Sequence, residues 1–374
     1  MAPTLFTSPR FADHLTPPGH PERVERFEVM QAIAAEFRKH GGDVRAPRPA
    51  VRDEIARVHN PEYIGLVAET AGRATAFDAD TFTSPDTYDV ACLAAGAVVS
   101  AVDYVLGAAD GEPRGPADAR GDEPRRAFAL VRPPGHHAER DRAMGFCFFN
   151  NIAIGAAHAR ARGLSRVALV DYDVHHGNGT QWSFYTDPSV LFISSHQFPY
   201  YPGTGAATEI GSGAGTGFTI NLPLAAGATD ADYDLVYSRV AVPALRQFKP
   251  ELILISAGFD AYMDDPLGGM RLTADAFGRL TSMIAGVADE CCEGRVVAVT
   301  EGGYDLEGLA SCLRESIGAL DRRAGLKTRP YDDPLTTRPG GGSLTTRPCG
   351  DADTRRGEAT LSAVQAALKD HWQL

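Results

Sequence analysis

The stretch Arg166–Thr180, RVALVDYDVHHGNGT, concentrates residues whose types and spacing could do chemistry. Its first half, Val167 to Val170, is an apolar run of the kind that forms a fully buried strand. Asp171, Asp173 and His175 follow at alternate positions, so in an extended backbone their side chains project to one face. Two carboxylates and an imidazole converging at a strand end make a nitrogen and oxygen ligand set for a divalent metal. The same residues also fit an ordinary strand-to-helix loop with a capping aspartate. The stretch alone leaves both readings open.

The surrounding chain predicts what must position these residues. From residue 127 strands and helices alternate: strands at 127–131, 166–170, 190–194, 218–224, 251–257 and 295–300. Helices are expected at 151–162, near 181–185, and at 230–248, 273–292 and 306–320. Continuous apolar strands in repeated strand–helix units predict an α/β protein with a parallel sheet covered on both faces. Upstream, residues 1–20 read as loop, followed by a helix from Pro21 to Gly41, short helical pieces around Asn60-Pro61, and a buried helix at 89–107. Polar, Pro- and Gly-rich stretches at 110–126 and 326–357 read as surface loops, the second flexible, and 359–372 as a last helix docking back. No clean linker divides the chain, so residues 1–374 are read as a single domain.

Ligands of an open α/β sheet bind outside the carboxyl ends of its strands. Four predicted strands deliver polar or ionisable residues there: His136 and His137 after the first, Asp171, Asp173 and His175 after the second, Asp260 after 251–257, and Glu301 and Tyr304 after 295–300. Asp173, His175 and Asp260 fit a catalytic zinc, three ligands leaving a position for water and substrate. The tandem histidines are candidates to take a proton from water, Asp171 to orient one of the metal ligands, and Tyr304 to donate to an oxyanion. Each has a plainer reading: an exposed His-His loop, a capping Asp260, a tyrosine that only packs. His14, His20, His59, His158 and His371 lack companions, and His196 reads as structural.

Composition narrows the class. A net charge of −12 and no basic patch with interleaved aromatics argue against nucleic-acid binding. The first residues lack the pattern of a signal peptide, and no apolar run approaches the roughly 20 residues that span a bilayer. Six scattered cysteines without a C-x-x-C pair predict reduced thiols and a cytoplasmic protein. A homo-oligomer is left open.

The blocks PPGHHAERDRAMGFCFFNN, DYDVHHGNGT, SAGFDAYMDDPLGGM and EGGYDLEGL resemble the signature blocks of the histone deacetylase family. HPERVER from His20 and YYPGTG at 200–205 also match, so the resemblance spans about residues 14–320. It implies the three-layer arginase/deacetylase-like fold and zinc-dependent removal of acyl groups from lysine or a lysine-like amine. The family also includes acetylpolyamine amidohydrolases and acetoin-utilisation proteins. Asp173, His175 and Asp260 match the zinc ligands, although such a set also suits ferrous iron. His137 matches the general base and His136, paired with Asp171, its electrostatic partner. Tyr304 matches the tyrosine that polarises the carbonyl. Phe146 and Tyr201, with Gly145 beside them, match the walls of a substrate tunnel, and Asp80 a rim carboxylate. Asp171, Asp173, His175 and Ser194 would line a structural potassium site. Asn178 stands where some members carry an aspartate contacting the second histidine and, with Glu301, resembles the class II branch. Leu267 stands where polyamine-selective members carry a glutamate, which favours acyl-lysine over acetylpolyamine as substrate. An arginase-like ureohydrolase would need further bridging carboxylates, and a non-catalytic acyl-lysine-binding module would be expected to lack a ligand, the base or the tyrosine. Asn178 stands where a bridging carboxylate might sit, while no ligand, base or tyrosine is missing.

Overall fold

A computed structural model describes residues 2–107, 125–321 and 353–374, so most of the expected loops at 110–126 and 326–357 lies outside the described residues. The first half carries β1 (Thr4–Phe6), α1 (Val24–Lys39), β2 (Val44–Arg45), α2 (Arg52–Ile55), α3 (Pro61–Ala68), β3 (Thr75–Ala76), β4 (Phe82–Thr83) and α4 (Thr87–Val105). The alternating part continues with β5 (Arg126–Ala129), α5 (Asn151–Ala161), β6 (Val167–Asp171), α6 (Asn178–Phe184), β7 (Val190–Gln197) and β8 (Thr219–Leu224). It ends with α7 (Asp230–Val236), α8 (Val242–Phe248), β9 (Leu252–Ala257), α9 (Ala274–Cys291), β10 (Val296–Thr300), α10 (Leu306–Leu320) and α11 (Arg355–Leu368).

Eight strands form one parallel sheet in the order β2-β1-β5-β10-β9-β6-β7-β8. The strands β6, β9 and β10 are buried at every position, as a sheet covered on both faces requires. Helices α4 and α5 pack together over the central strands on one side, while α1, α10, α9 and α8 pack in a row on the other. This is the three-layer α/β arrangement the sequence predicts. The four strands whose loops carry the candidate residues are consecutive neighbours at its centre, β5-β10-β9-β6. Their carboxyl ends therefore open into one place.

Several elements differ from expectation. Thr4–Phe6, read as loop, is a strand whose Leu5 pairs with Phe128 of β5. Three residues are too few to show periodicity, and their partner lies far along the chain. The helix expected at 230–248 is broken by a wide turn at Tyr237–Ala241, where the Val242 N–H reaches back five residues to the Tyr237 carbonyl. Pro243 lacks an N–H and crowds the preceding turn, and a widened turn absorbs both effects. The last helix starts at Arg355, inside the expected loop, and ends at Leu368. Helix α4 is long and apolar enough to cross a membrane, contrary to the reading that no such run exists. It is mostly buried in the core, which accounts for its composition.

Candidate active site

Strand β6 stops at Asp171, so alternation along a strand does not place Asp173 and His175. A turn does. The Asp173 carboxylate accepts the His175 N–H at 2.9 Å, an Asx-type closure, and Asp171 accepts the Asp173 N–H at 3.0 Å. Asp260, three residues past β9, accepts the Val174 N–H at 2.8 Å, which locks the two loops together. His175 Nδ1 then lies 3.2 Å from Asp173 Oδ1 and 3.1 Å from Asp260 Oδ2. The ligand atoms of Asp173, His175 and Asp260 all lie within 4.8 Å of one another.

The backbone around the carboxylates is glycine where it must be. A Cβ at Gly258 would come within 1.9 Å of Asp173 Oδ2, and one at Gly302 within 2.1 Å of Asp260 Oδ2. The Gly302 N–H donates to Asp173 Oδ2 at 2.8 Å. Charge favours a cation in this cradle. Burial and the neighbouring Asp173 push the pKa of Asp260 up to about 7. Burial opposes charge on His175 as well, yet its hydrogen bonds to Asp173 and Asp260 hold its pKa well above the ordinary value. Asp173 and Asp260 thus both favour positive charge at this point. A divalent ion with oxygen and nitrogen preferences fits the same donors and would displace the His175 proton.

The histidine pair sits beside the triad, ring centroids 4.0 Å apart, with His137 5.9 Å from His175. His136 Nδ1 contacts Asp171 Oδ2 at 3.0 Å, and His137 Nδ1 contacts Asn178 Oδ1 at 2.8 Å. Burial works against a charged His136, but Asp173 and Asp171 outweigh it and raise its pKa to about 10. His137 goes the other way: burial, then the charges of His136 and His175, lower it well below the ordinary value. One histidine is held protonated and its neighbour neutral. Beneath them, the buried Glu301 carboxylate accepts the N–H groups of Gly135 (2.6 Å) and His136 (3.2 Å) and the Ser256 hydroxyl (3.0 Å). Glu301 anchors the turn that presents the pair.

Tyr304 is buried, and its phenol stays protonated because burial, only partly offset by Arg26, raises its pKa well above 10. Its ring meets Phe146 edge-on at 5.8 Å. Phe146 has φ of +69°, a left-handed conformation costing a non-glycine residue about 1–2 kcal/mol. Gly145 before it lies against the His137 ring, where a Cβ would come within 2.4 Å of Cδ2. Tyr201 packs on His137 at 5.2 Å and remains 38% exposed. Asp80 and Leu267 reach this centre through intermediaries. The Thr81 hydroxyl bonds the Asp80 carboxylate and accepts the Phe146 N–H, both at 3.2 Å. Asp265 takes the Leu267 N–H on one oxygen (2.9 Å) and the Tyr304 N–H on the other (2.6 Å). Ser194 is the register partner of Asp171, and its hydroxyl lies 3.0 Å from His196 Nδ1.

Residues 20–320 match the histone deacetylase domain. The chain belongs to the histone deacetylase family. It is 39% identical over 330 residues to rice (Oryza sativa subsp. japonica) "Histone deacetylase 10, chloroplastic", covering 84% of this chain and 72% of that one. It is 36% identical over 331 residues to "Histone deacetylase-like amidohydrolase" of Pseudomonas aeruginosa, covering 87% and 80%. Human "Polyamine deacetylase HDAC10" is 40% identical over 316 residues, covering 79% of this chain and 44% of that protein. The crystal structure of the HDA15 HD domain superposes with a TM-score of 0.81 at 31% identity, covering 100% of this chain and 96% of that one. The fold is thus the arginase/deacetylase type, and the chain is a family amide hydrolase.

Several site residues were not singled out by sequence reasoning. Tyr200 stacks on His175 at 5.6 Å, and its only signal is its place in the YYPGTG block. Glu22 and Arg26, in the HPERVER block, are fully buried with Arg132. Glu22 pairs with Arg132 at 2.6 Å and Arg26 at 3.0 Å, and Arg26 donates to the Gly303 carbonyl and lies 4.8 Å over the Tyr304 ring. No spacing rule links residue 26 to residue 304. Asp265 has no signal beyond sharing a block with Asp260.

Proposed function

We propose that this deacetylase-family chain is a zinc-dependent amidohydrolase that removes an acyl group, most simply acetyl, from the side-chain amine of lysine or a lysine-like amine. The observation that carries this reading is one compact grouping: an Asp173–His175–Asp260 cluster with His136 and His137 beside it and Tyr304 on the adjoining loop. Zinc, or ferrous iron, bound to that cluster supplies Lewis-acid polarisation of a carbonyl and acidifies water. His137, neutral and with Nδ1 turned to Asn178, takes the proton of the attacking water at Nε2. The Tyr304 hydroxyl donates to the oxygen on which negative charge develops. The C–O bond forms, the amide C–N bond breaks, and a protonated histidine of the pair gives its proton to the leaving amine. Phe146 and Tyr201 flank the acylated alkyl chain, with Asp80 as a rim carboxylate.

The reading includes a structural potassium held by Asp171, Asp173, His175 and Ser194, supported by the pairing of Asp171 with Ser194 beside the cluster. It includes a cytoplasmic setting, supported by five free cysteines among the described residues. Acetylpolyamine is the second substrate reading, favoured by the likeness to human polyamine deacetylase. Leu267 supports acyl-lysine instead, since an apolar side chain offers nothing to a distal ammonium. A panel of acyl-lysine peptides, acetylputrescine and other acetylated amines, assayed with and without a chelator, tests the proposal. Chelator-sensitive turnover of acetyl-lysine peptide above acetylputrescine is expected. Turnover of none of them by metal-loaded protein, or turnover that ignores complete metal removal, would overturn it.

A further inference from the structure

We infer that Glu139, outside the metal cluster, is a positioning residue that fixes which nitrogen of His137 carries the proton; this rests on the hydrolytic reading above. A carboxylate can only accept hydrogen bonds. Glu139 Oε1 lies 2.7 Å from Asn178 Nδ2, so the NH2 end of that amide must point at Glu139. The carbonyl end then faces His137, with Oδ1 2.8 Å from Nδ1. An amide oxygen also only accepts, so the neutral His137 carries its proton on Nδ1 and keeps a lone pair on Nε2. That is the form a base acting at Nε2 requires. His136 needs no such help, because the Asp171 carboxylate contacts its Nδ1 directly.

Remove Glu139 and the two ends of Asn178 become nearly interchangeable in shape. The Met144 sulfur, 3.4 Å from Nδ2, is too weak an acceptor to hold the amide. An inverted Asn178 would offer N–H to His137 Nδ1 and select the tautomer with Nε2 protonated. Glu139 is itself held firmly. Its N–H donates to the Arg142 carbonyl at 2.9 Å, and Arg142 Nη2 lies 3.3 Å from the same Oε1. Its carbonyl accepts from His59 Nδ1 at 2.9 Å, while His59 Nε2 accepts the Asn150 N–H at 2.8 Å. His59, to which the sequence assigned no role, thus ties this loop to the start of α5. Burial keeps His59 neutral, lowering its pKa to about 4.

The test compares Glu139→Ala and Glu139→Gln with wild type in the full, zinc-loaded chain, using acetyl-lysine peptide. Glu139→Ala should lower kcat about 10- to 100-fold with zinc content unchanged, and leave KM within about twofold. Gln retains an oxygen for both Asn178 and Arg142, so Glu139→Gln should recover most of the loss. Imidazole 15N shifts, assigned against His137→Ala, should show Nδ1 protonation in wild type and Glu139→Gln, and Nε2 protonation in Glu139→Ala. Wild-type kcat in Glu139→Ala, equal impairment of both variants, or an unchanged tautomer would overturn the inference. Absence of wild-type turnover would instead defeat the hydrolytic reading, and the 15N comparison would still decide the role of Glu139.

Discussion

The floor of the site and its entrance are built on different principles. On the floor, Asp173 and Asp260 are fully buried, and each carboxylate is fixed by backbone N–H groups from a neighbouring loop. At the entrance, Tyr200 and Tyr201 are each more than a third exposed and are placed by ring packing onto His175 and His137. Backbone anchoring beyond buried strands tolerates almost no displacement, whereas a loop held by ring contacts can shift and still work. The floor should therefore answer to mutation in orders of magnitude and the entrance in ratios between substrates.

The largest effect is expected on the floor. Asp260→Ala should abolish zinc retention and reduce turnover to background, read by metal analysis beside activity; full metal content and turnover would break the contrast. Tyr304→Phe should leave zinc content intact and lower kcat about 100- to 1,000-fold, the usual result of removing one oxyanion donor. A drop confined to KM would move Tyr304 from floor to entrance. Zinc affinity should weaken as pH falls, because His175 holds a proton well above its ordinary pKa and must release it to bind metal. Where His175 alone is protonated, one displaced proton predicts about a tenfold loss per pH unit, steepening below about 7 as Asp260 also takes up a proton, read by competition with a chromophoric chelator; a flat profile would exclude the exchange. At the entrance, Leu267→Glu should raise acetylputrescine relative to acetyl-lysine peptide about tenfold in kcat/KM, some 1.4 kcal/mol. An equal fall for both substrates would mean that residue 267 supports the floor instead, through Asp265.

Legibility in the sequence follows the same division. The strands β6, β9 and β10 were readable because a strand buried on both faces must be a continuous apolar run. Once those strands were placed, the residues after them had to share one edge, which brought Asp173, His175, Asp260, the histidine pair and Tyr304 into view. Their convergence has a different cause from the one alternation predicts: β6 ends before Asp173, and an Asx-type turn replaces strand alternation. β1 was invisible because its three residues are defined by pairing with β5 rather than by local pattern. The break at 237–241 is hidden because apolar spacing runs on through it, with Pro243 as its one local mark. Glu22, Arg26, Asp265 and Glu139 act on the site through single hydrogen bonds and ion pairs across long sequence distances. Nothing in composition or period encodes such contacts.

In the proposed reaction a neutral His137 beside the Asp173–His175–Asp260 cluster performs the proton transfer. The most direct measurement is kcat of His137→Ala on acetyl-lysine peptide, in protein shown to hold the same zinc per chain as wild type. A fall of about 100- to 10,000-fold, the range for losing a general base, is the predicted result. Turnover near that of wild type, with zinc in place, would contradict it.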